Sequence, residues 1–65
     1  LDALRLIIEV APQMLTPGGW LVLEHHHDQS AAVAELLRAA GLQECRQVRD
    51  LEGQLRFAVA RRSNP

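Results

Sequence analysis

Apolar residues recur at three- and four-residue intervals over the first fifteen positions, at Leu1, Leu4, Ile8, Ala11 and Leu15, with Ile7 and Met14 widening the stripe. That spacing is one face of a helix. Pro12 falls inside it; it has no N–H for the carbonyl of Ile8 and its ring crowds that turn, so a kink or a restart is expected there. Thr16-Pro17-Gly18-Gly19 then stops the helix, because Pro17 presets φ for the first central position of a turn and Gly18 supplies the positive φ that a type II turn needs next. Trp20-Leu21-Val22-Leu23 follow without alternation. Such a run predicts a strand over Trp20–Glu24 that is covered on both faces, with Trp20 in the core.

After Glu24 the pattern turns polar through His25-His26-His27-Asp28, then apolar at helical spacing in Val33, Leu36, Leu37 and Ala40. Asp28 is the expected N-cap, with Ser30 competing. Gly41 is expected to end this second helix as a left-handed C′ residue, with Leu42 folding back on the last turn. Two strands are predicted beyond it, at about Glu44–Arg49 and Leu55–Arg61, joined by Asp50-Leu51-Glu52-Gly53-Gln54. The second alternates cleanly; in the first, Cys45 and Val48 do not share a face. The order is helix, strand, helix, strand, strand, an α/β arrangement. A right-handed crossover would lay the second helix over the sheet and bring the third element's following strand parallel to Trp20–Glu24, leaving the last pair as an antiparallel hairpin. Residues 1–62 read as one unit, with the chain fraying from Arg61 and a disordered tail at 63–65.

At 65 residues the chain is small enough to be marginal as an independent fold. Cys45 is the only cysteine, which excludes an internal disulfide and fits a reducing compartment; no Cys/His spacing resembles a structural zinc site. The longest apolar runs are four residues, far short of a membrane span, and the chain reads as soluble, cytoplasmic and part of a longer protein. A net charge of −1 argues against a dedicated nucleic-acid binder. All seven basic residues are arginine, and Arg46, Arg49, Arg56, Arg61 and Arg62 crowd the last twenty positions. A solvated sheet face accounts for them, with a phosphate or RNA contact as the alternative.

His25 and His27 would lie on one side of an extended segment, with Glu24 or Asp28 able to add an oxygen, but two histidines without a fixed third ligand make only an opportunistic metal site. No metal site is therefore expected. Gly18, Gly19, Gly41 and Gly53 form no G-x-G-x-x-G, so no nucleotide cradle is expected either. Cys45 has no paired base and reads as a small core filler.

The junction Leu15-Thr16-Pro17-Gly18-Gly19-Trp20-Leu21-Val22-Leu23-Glu24 resembles the helix-to-fifth-strand passage of class I S-adenosylmethionine-dependent methyltransferases. The residues that follow are more specific: Leu23-Glu24-His25, Asp28-Gln29, Val33, Leu36-Leu37, Ala40-Gly41-Leu42 and Asp50-Leu51-x-Gly53-x-x-Arg56. Together they are similar to the C-terminal end of the peptide chain release factor glutamine-N5 methyltransferases, the HemK/PrmC family. The resemblance implies a Rossmann-like sheet in which the closing strand inserts between the other two. It also implies a parent enzyme that uses S-adenosylmethionine to methylate the glutamine of the Gly-Gly-Gln motif of release factors, its protein partner. The family's glycine-rich cofactor loop and Asn-Pro-Pro-Tyr motif have no counterpart here; Asn64-Pro65 is not that motif. No catalytic or cofactor-binding residue is therefore expected in this chain, and the segment by itself is expected to be inactive, without a cofactor, and prone to self-association through an open sheet edge. Two departures stand out: His26 and Ser30 occupy positions where the family commonly has glycine.

In open α/β sheets ligands bind outside the carboxyl ends of the strands, which makes Glu24 and His25 the candidates for lining the substrate side of the parent site. A structural role, with Glu24 accepting from backbone amides, is the competing reading. Asp50 and Arg56 read as a cross-hairpin ion pair or turn cap. Two other functions fit the same residues: a class I methyltransferase with a different acceptor, and a small non-enzymatic α/β interaction module.

Overall fold

The computed structural model describes residues 1–64; Pro65, the end of the expected tail, lies outside them. The elements are α1 (Asp2–Met14), β1 (Trp20–Glu24), a 3-10 turn (His27–Gln29), α2 (Ser30–Ala39), β2 (Gln43–Arg49) and β3 (Leu55–Arg61). The sheet order is β1-β3-β2, and β3 runs antiparallel to both neighbours. β1 and β2 are therefore parallel to one another but separated by the inserted closing strand, as the resemblance implied.

One core holds the layers together. Ile8 of α1 and Val33 and Leu37 of α2 pack on Leu23, Ala58 and Ala60, with Leu42 closing the end. Ala58 and Ala60 let the helices approach the central strand closely, while Leu21 and Leu23 on β1 and Cys45 on β2 fill the flanks. The buried stripe of α1 is narrower than its periodicity suggests: Ile8 and Ala11 are buried and Leu4 and Leu15 partly so, but Ile7 is 44% and Met14 78% exposed. Pro12 neither ends nor restarts the helix, which runs through it to Met14.

The sheet is covered on one face only among the described residues, which corrects the expectation for Trp20. It lies 45% exposed on the uncovered face, in the same row as Arg61, whose guanidinium sits 5.1 Å from the ring centroid. Val22 (64% exposed) and Val48 share that face, because alternate side chains point away from the helices.

Local signals account for the joints. Gly18 takes φ 78° and Gly19 N–H donates to Thr16 O at 2.8 Å, closing the type II turn. Two arginines then hold that turn, correcting the expected fraying from Arg61. Arg61 Nε donates to Gly18 O at 2.9 Å, Arg62 N–H donates to Gly19 O at 2.8 Å, and the Arg62 guanidinium bonds Leu15 O. At the end of α2, Gly41 has φ 82°, its N–H donates to Arg38 O, and Leu42 N–H reaches back to Leu37 O, which is a Schellman ending with a buried Leu42.

β2 begins one residue earlier than predicted and contains an irregularity that the alternation rule cannot see. Gln43 faces Arg61 and Arg46 faces Val59, so one extra residue is accommodated, and Glu44 adopts φ 52°. Cys45 and Gln47 consequently face the helices while Arg46 and Val48 face outward. The start of α2 also differs from expectation. Neither Asp28 nor Ser30 caps it; the 3-10 turn leads straight into the helix, and Gln29 Oε1 accepts from His26 N–H at 3.1 Å. His26 has φ −67° and ψ 145°, and Ser30 is helical, so neither departure from glycine strains the backbone.

Candidate functional site

β1 ends at Glu24, and the next residue continues the ladder, with His25 N–H donating to Arg56 O at 2.8 Å. A concave site of about 370 Å³ opens at this end of the strand. Leu1, which precedes α1, and Ala3 and Leu4 within it form its apolar wall, and Glu24, His25, His26, Gln29 and Arg56 supply polar groups. Both sequence-predicted candidates, Glu24 and His25, are thus brought to one concavity, and Arg56 joins them from the far end of the chain.

Their environments differ sharply. Glu24 is exposed on the rim and enters none of the ion pairs among the described residues, which join Asp2 to Arg5, Glu35 to Arg38, Asp50 to Arg56 and Glu44 to Arg61. His25 is only 5% exposed, because alternation along β1 turns its side chain to the helix side with Leu21 and Leu23. Its Nδ1 lies 2.7 Å from His26 O and its Nε2 3.1 Å from Gln47 Oε1. Gln47 in turn donates through Nε2 to Ser30 O at 3.0 Å. Both ring nitrogens thus lie within hydrogen-bond distance of a protein oxygen, and the Gln47 amide, donating through Nε2 to Ser30 O, turns its Oε1 toward the ring. His25 is therefore held by the protein on both sides, whereas Glu24 is presented outward.

Arg56 is the extra residue where Val48 faces Phe57 and Arg49 faces Leu55. Its Nε is buried and 3.4 Å from Asp50 Oδ2 without a hydrogen bond of good geometry. Asp50 itself organises the hairpin: Oδ1 accepts from the N–H groups of Glu52 and Gln54 at 2.9 Å each, and Gly53 takes φ 82°. The Asp50-Leu51-x-Gly53-x-x-Arg56 box is thus a turn with its own internal support that carries Arg56 to the edge of the concavity.

His27 opens the 3-10 turn and departs from the extended path on which it would have matched His25. Among the described residues no group of three or more His, Cys, Asp or Glu is placed to hold a metal ion. The glycines do not fit S-adenosylmethionine: Gly18, Gly41 and Gly53 serve a turn, a helix end and a hairpin, and none forms a cradle after a strand. A carboxylate and a guanidinium thus stand beside an apolar wall, an arrangement that suits holding a polar group.

Sequence comparison supplies the context. The chain is 54% identical over 61 residues to a release factor glutamine methyltransferase of Xylella fastidiosa, a match covering 94% of this chain and 22% of that protein. Over nearly its whole length this chain is related to release factor glutamine methyltransferases. The relative from Coxiella burnetii is 45% identical over 62 residues, covering 95% of the chain and 22% of that protein. That from Pseudomonas aeruginosa is 48% identical over 59 residues, covering 91% and 21%. The chain spans about a fifth of the length of these curated relatives. No family model matches it, and no solved structure gives a significant match. No helix among the described residues is long and apolar enough to cross a membrane.

Proposed function

We propose that this chain is the closing, C-terminal part of the catalytic domain of a cytoplasmic release factor glutamine methyltransferase, a class I enzyme with a Rossmann-like sheet. The observation that carries this reading is the 54% identity over 94% of the chain to an enzyme of that name. The strand order β1-β3-β2, with the closing strand inserted antiparallel between the other two, supports it as well, since that is the topology the family resemblance implies. The parent enzyme transfers a methyl group from S-adenosylmethionine to the side-chain amide nitrogen of the glutamine in the Gly-Gly-Gln motif of a release factor.

Within that enzyme the segment supplies scaffold and one wall of the acceptor side. Glu24 offers a carboxylate to an N–H of the incoming loop, and Arg56 can meet a carbonyl or a carboxylate. His25, with both ring nitrogens occupied, supports the loop from beneath. An amide nitrogen is a poor nucleophile because its lone pair is delocalised, so supporting contacts of this kind contribute by fixing orientation. The cofactor contacts belong to the remainder of the parent chain.

A segment swap tests the reading. A chimera in which this chain replaces the matched 61 residues of the Xylella fastidiosa enzyme is expected to transfer methyl groups to a release factor, whereas the same enzyme truncated before that segment is not. A folded chimera without transfer activity would overturn it.

A further inference from the structure

Gln47 is a polar residue at a helix-facing position of β2, where Cys45 and its neighbours on β3, Ala58 and Ala60, build the core. Its side chain reaches the two ends of one loop. The carbonyl oxygen lies 3.1 Å from His25 Nε2 at the loop's start, and the amide nitrogen donates to Ser30 O at 3.0 Å at its finish. Between those points lie His26 and Gln29, both lining the concave site. Helix α2 has no side-chain cap at its own N-terminus and the His26–Gln29 bonds are internal to the loop, so besides the ladder bond from His25 N–H to Arg56 O it is Gln47 that ties the loop to the sheet.

We infer that Gln47 is a positioning residue for the acceptor side of the site, acting by holding both ends of the loop at residues 25–30. Gln47 is not among the residues that line the concavity. Two partly buried hydrogen bonds from one planar amide fix the distance and the angle between β1's carboxyl end and the start of α2, which sets the width of the concavity beside Glu24. A residue that held only the core together would act on stability alone, while one that sets this loop acts on acceptor affinity as well.

The inference rests on the methyltransferase reading, and the experiment separates the two. In the chimera described above, Gln47→Met fills similar space without either hydrogen bond, and Leu42→Ala, in the same core but away from the loop, serves as a stability control. Gln47→Met is expected to raise KM for the release factor about tenfold with kcat and the cofactor KM little changed, as the loss of one buried hydrogen-bonding unit implies. Leu42→Ala is expected to lower the melting temperature without that rise. Exchange of the His25 Nε2–H proton with solvent, followed by NMR, is expected to be slow in the unsubstituted chimera and to accelerate in Gln47→Met, which removes its acceptor. Fast ring exchange before substitution, or an acceptor KM that moves no more in Gln47→Met than in Leu42→Ala, overturns the inference. An unsubstituted chimera with slow ring exchange but no methyl transfer overturns the functional reading and supports the anchoring.

Discussion

Asp50 and Arg56 meet across the β2–β3 hairpin with Oδ2 and Nε 3.4 Å apart, while the other oxygen of Asp50 accepts two backbone N–H groups of the turn. The motif that carried the family resemblance is thus first a folding device. Asp50 caps the turn, Gly53 supplies its left-handed residue, and Arg56 lies where the second bulge brings it beside the concave site.

Replacing Asp50 by Ala removes the acceptor for both N–H groups and is expected to lower stability by about 1–2 kcal/mol, by analogy with loss of a helix cap. Asp50→Asn keeps an acceptor and should cost under about 1 kcal/mol, the scale of a partly exposed ion pair. Chemical unfolding of the two variants checks the order; equal losses would assign the stabilisation to the charge rather than to the turn.

Gly19 gives a sharper steric prediction. A Cβ there would stand 2.8 Å from Thr16 O and 3.1 Å from Thr16 Oγ1, so Gly19→Ala must displace backbone and is expected to cost about 1–3 kcal/mol. Gly41→Ala meets nothing within 4 Å but is held at φ 82°, so its cost should be closer to about 1 kcal/mol. Thermal unfolding of both variants distinguishes contact from conformation.

The two edges of the sheet are unequal. β2 carries Glu44, Arg46 and Arg49 and a bulge, devices that discourage pairing with another chain, whereas β1 presents Trp20-Leu21-Val22-Leu23 in regular register. The 65-residue chain is expected to self-associate, and Val22→Lys, placing a charge on a residue already 64% exposed, to reduce association without unfolding it. Sedimentation velocity reads both, and a monomer at high concentration for the unsubstituted chain would contradict the expectation.

The same chain alone is expected to show no heat of binding with S-adenosylmethionine and no methyl transfer, because its glycines close turns and it lacks a cradle for the cofactor. Micromolar binding by calorimetric titration would relocate the chemistry into this segment.

Much of the fold was legible in the residues. The apolar spacing located both helices, Pro17-Gly18 the turn, Gly41-Leu42 the helix ending, and Leu55–Arg61 the closing strand. What escaped was set by tertiary context. Trp20 reads as core because unbroken apolar runs are usually covered twice, yet the described residues cover one face. The bulge at Glu44 exists because β2 must fit β3 at both Gln43 and Arg46, a two-strand constraint invisible along one strand. Arg61 and Arg62 look like tail residues until the turn at residues 16–19 is seen beneath them. Glu24 and His25 could be placed at a strand's carboxyl end from sequence, but not separated; only the partners His26 O and Gln47 Oε1 show that one faces outward and the other is held inside. Arg56 reads in sequence as a hairpin residue alone, since only the fold brings it beside Glu24.

The proposed role of this segment, completing the acceptor side of a glutamine methyltransferase, is decided by mass spectrometry of a release factor after incubation with S-adenosylmethionine and the chimera. One added methyl group is expected on the glutamine of the Gly-Gly-Gln peptide, at a level reduced by about fivefold when Glu24 is replaced by Ala, the scale of one supporting hydrogen bond. A folded chimera that leaves that glutamine unmodified, or methylates a different residue, would contradict it.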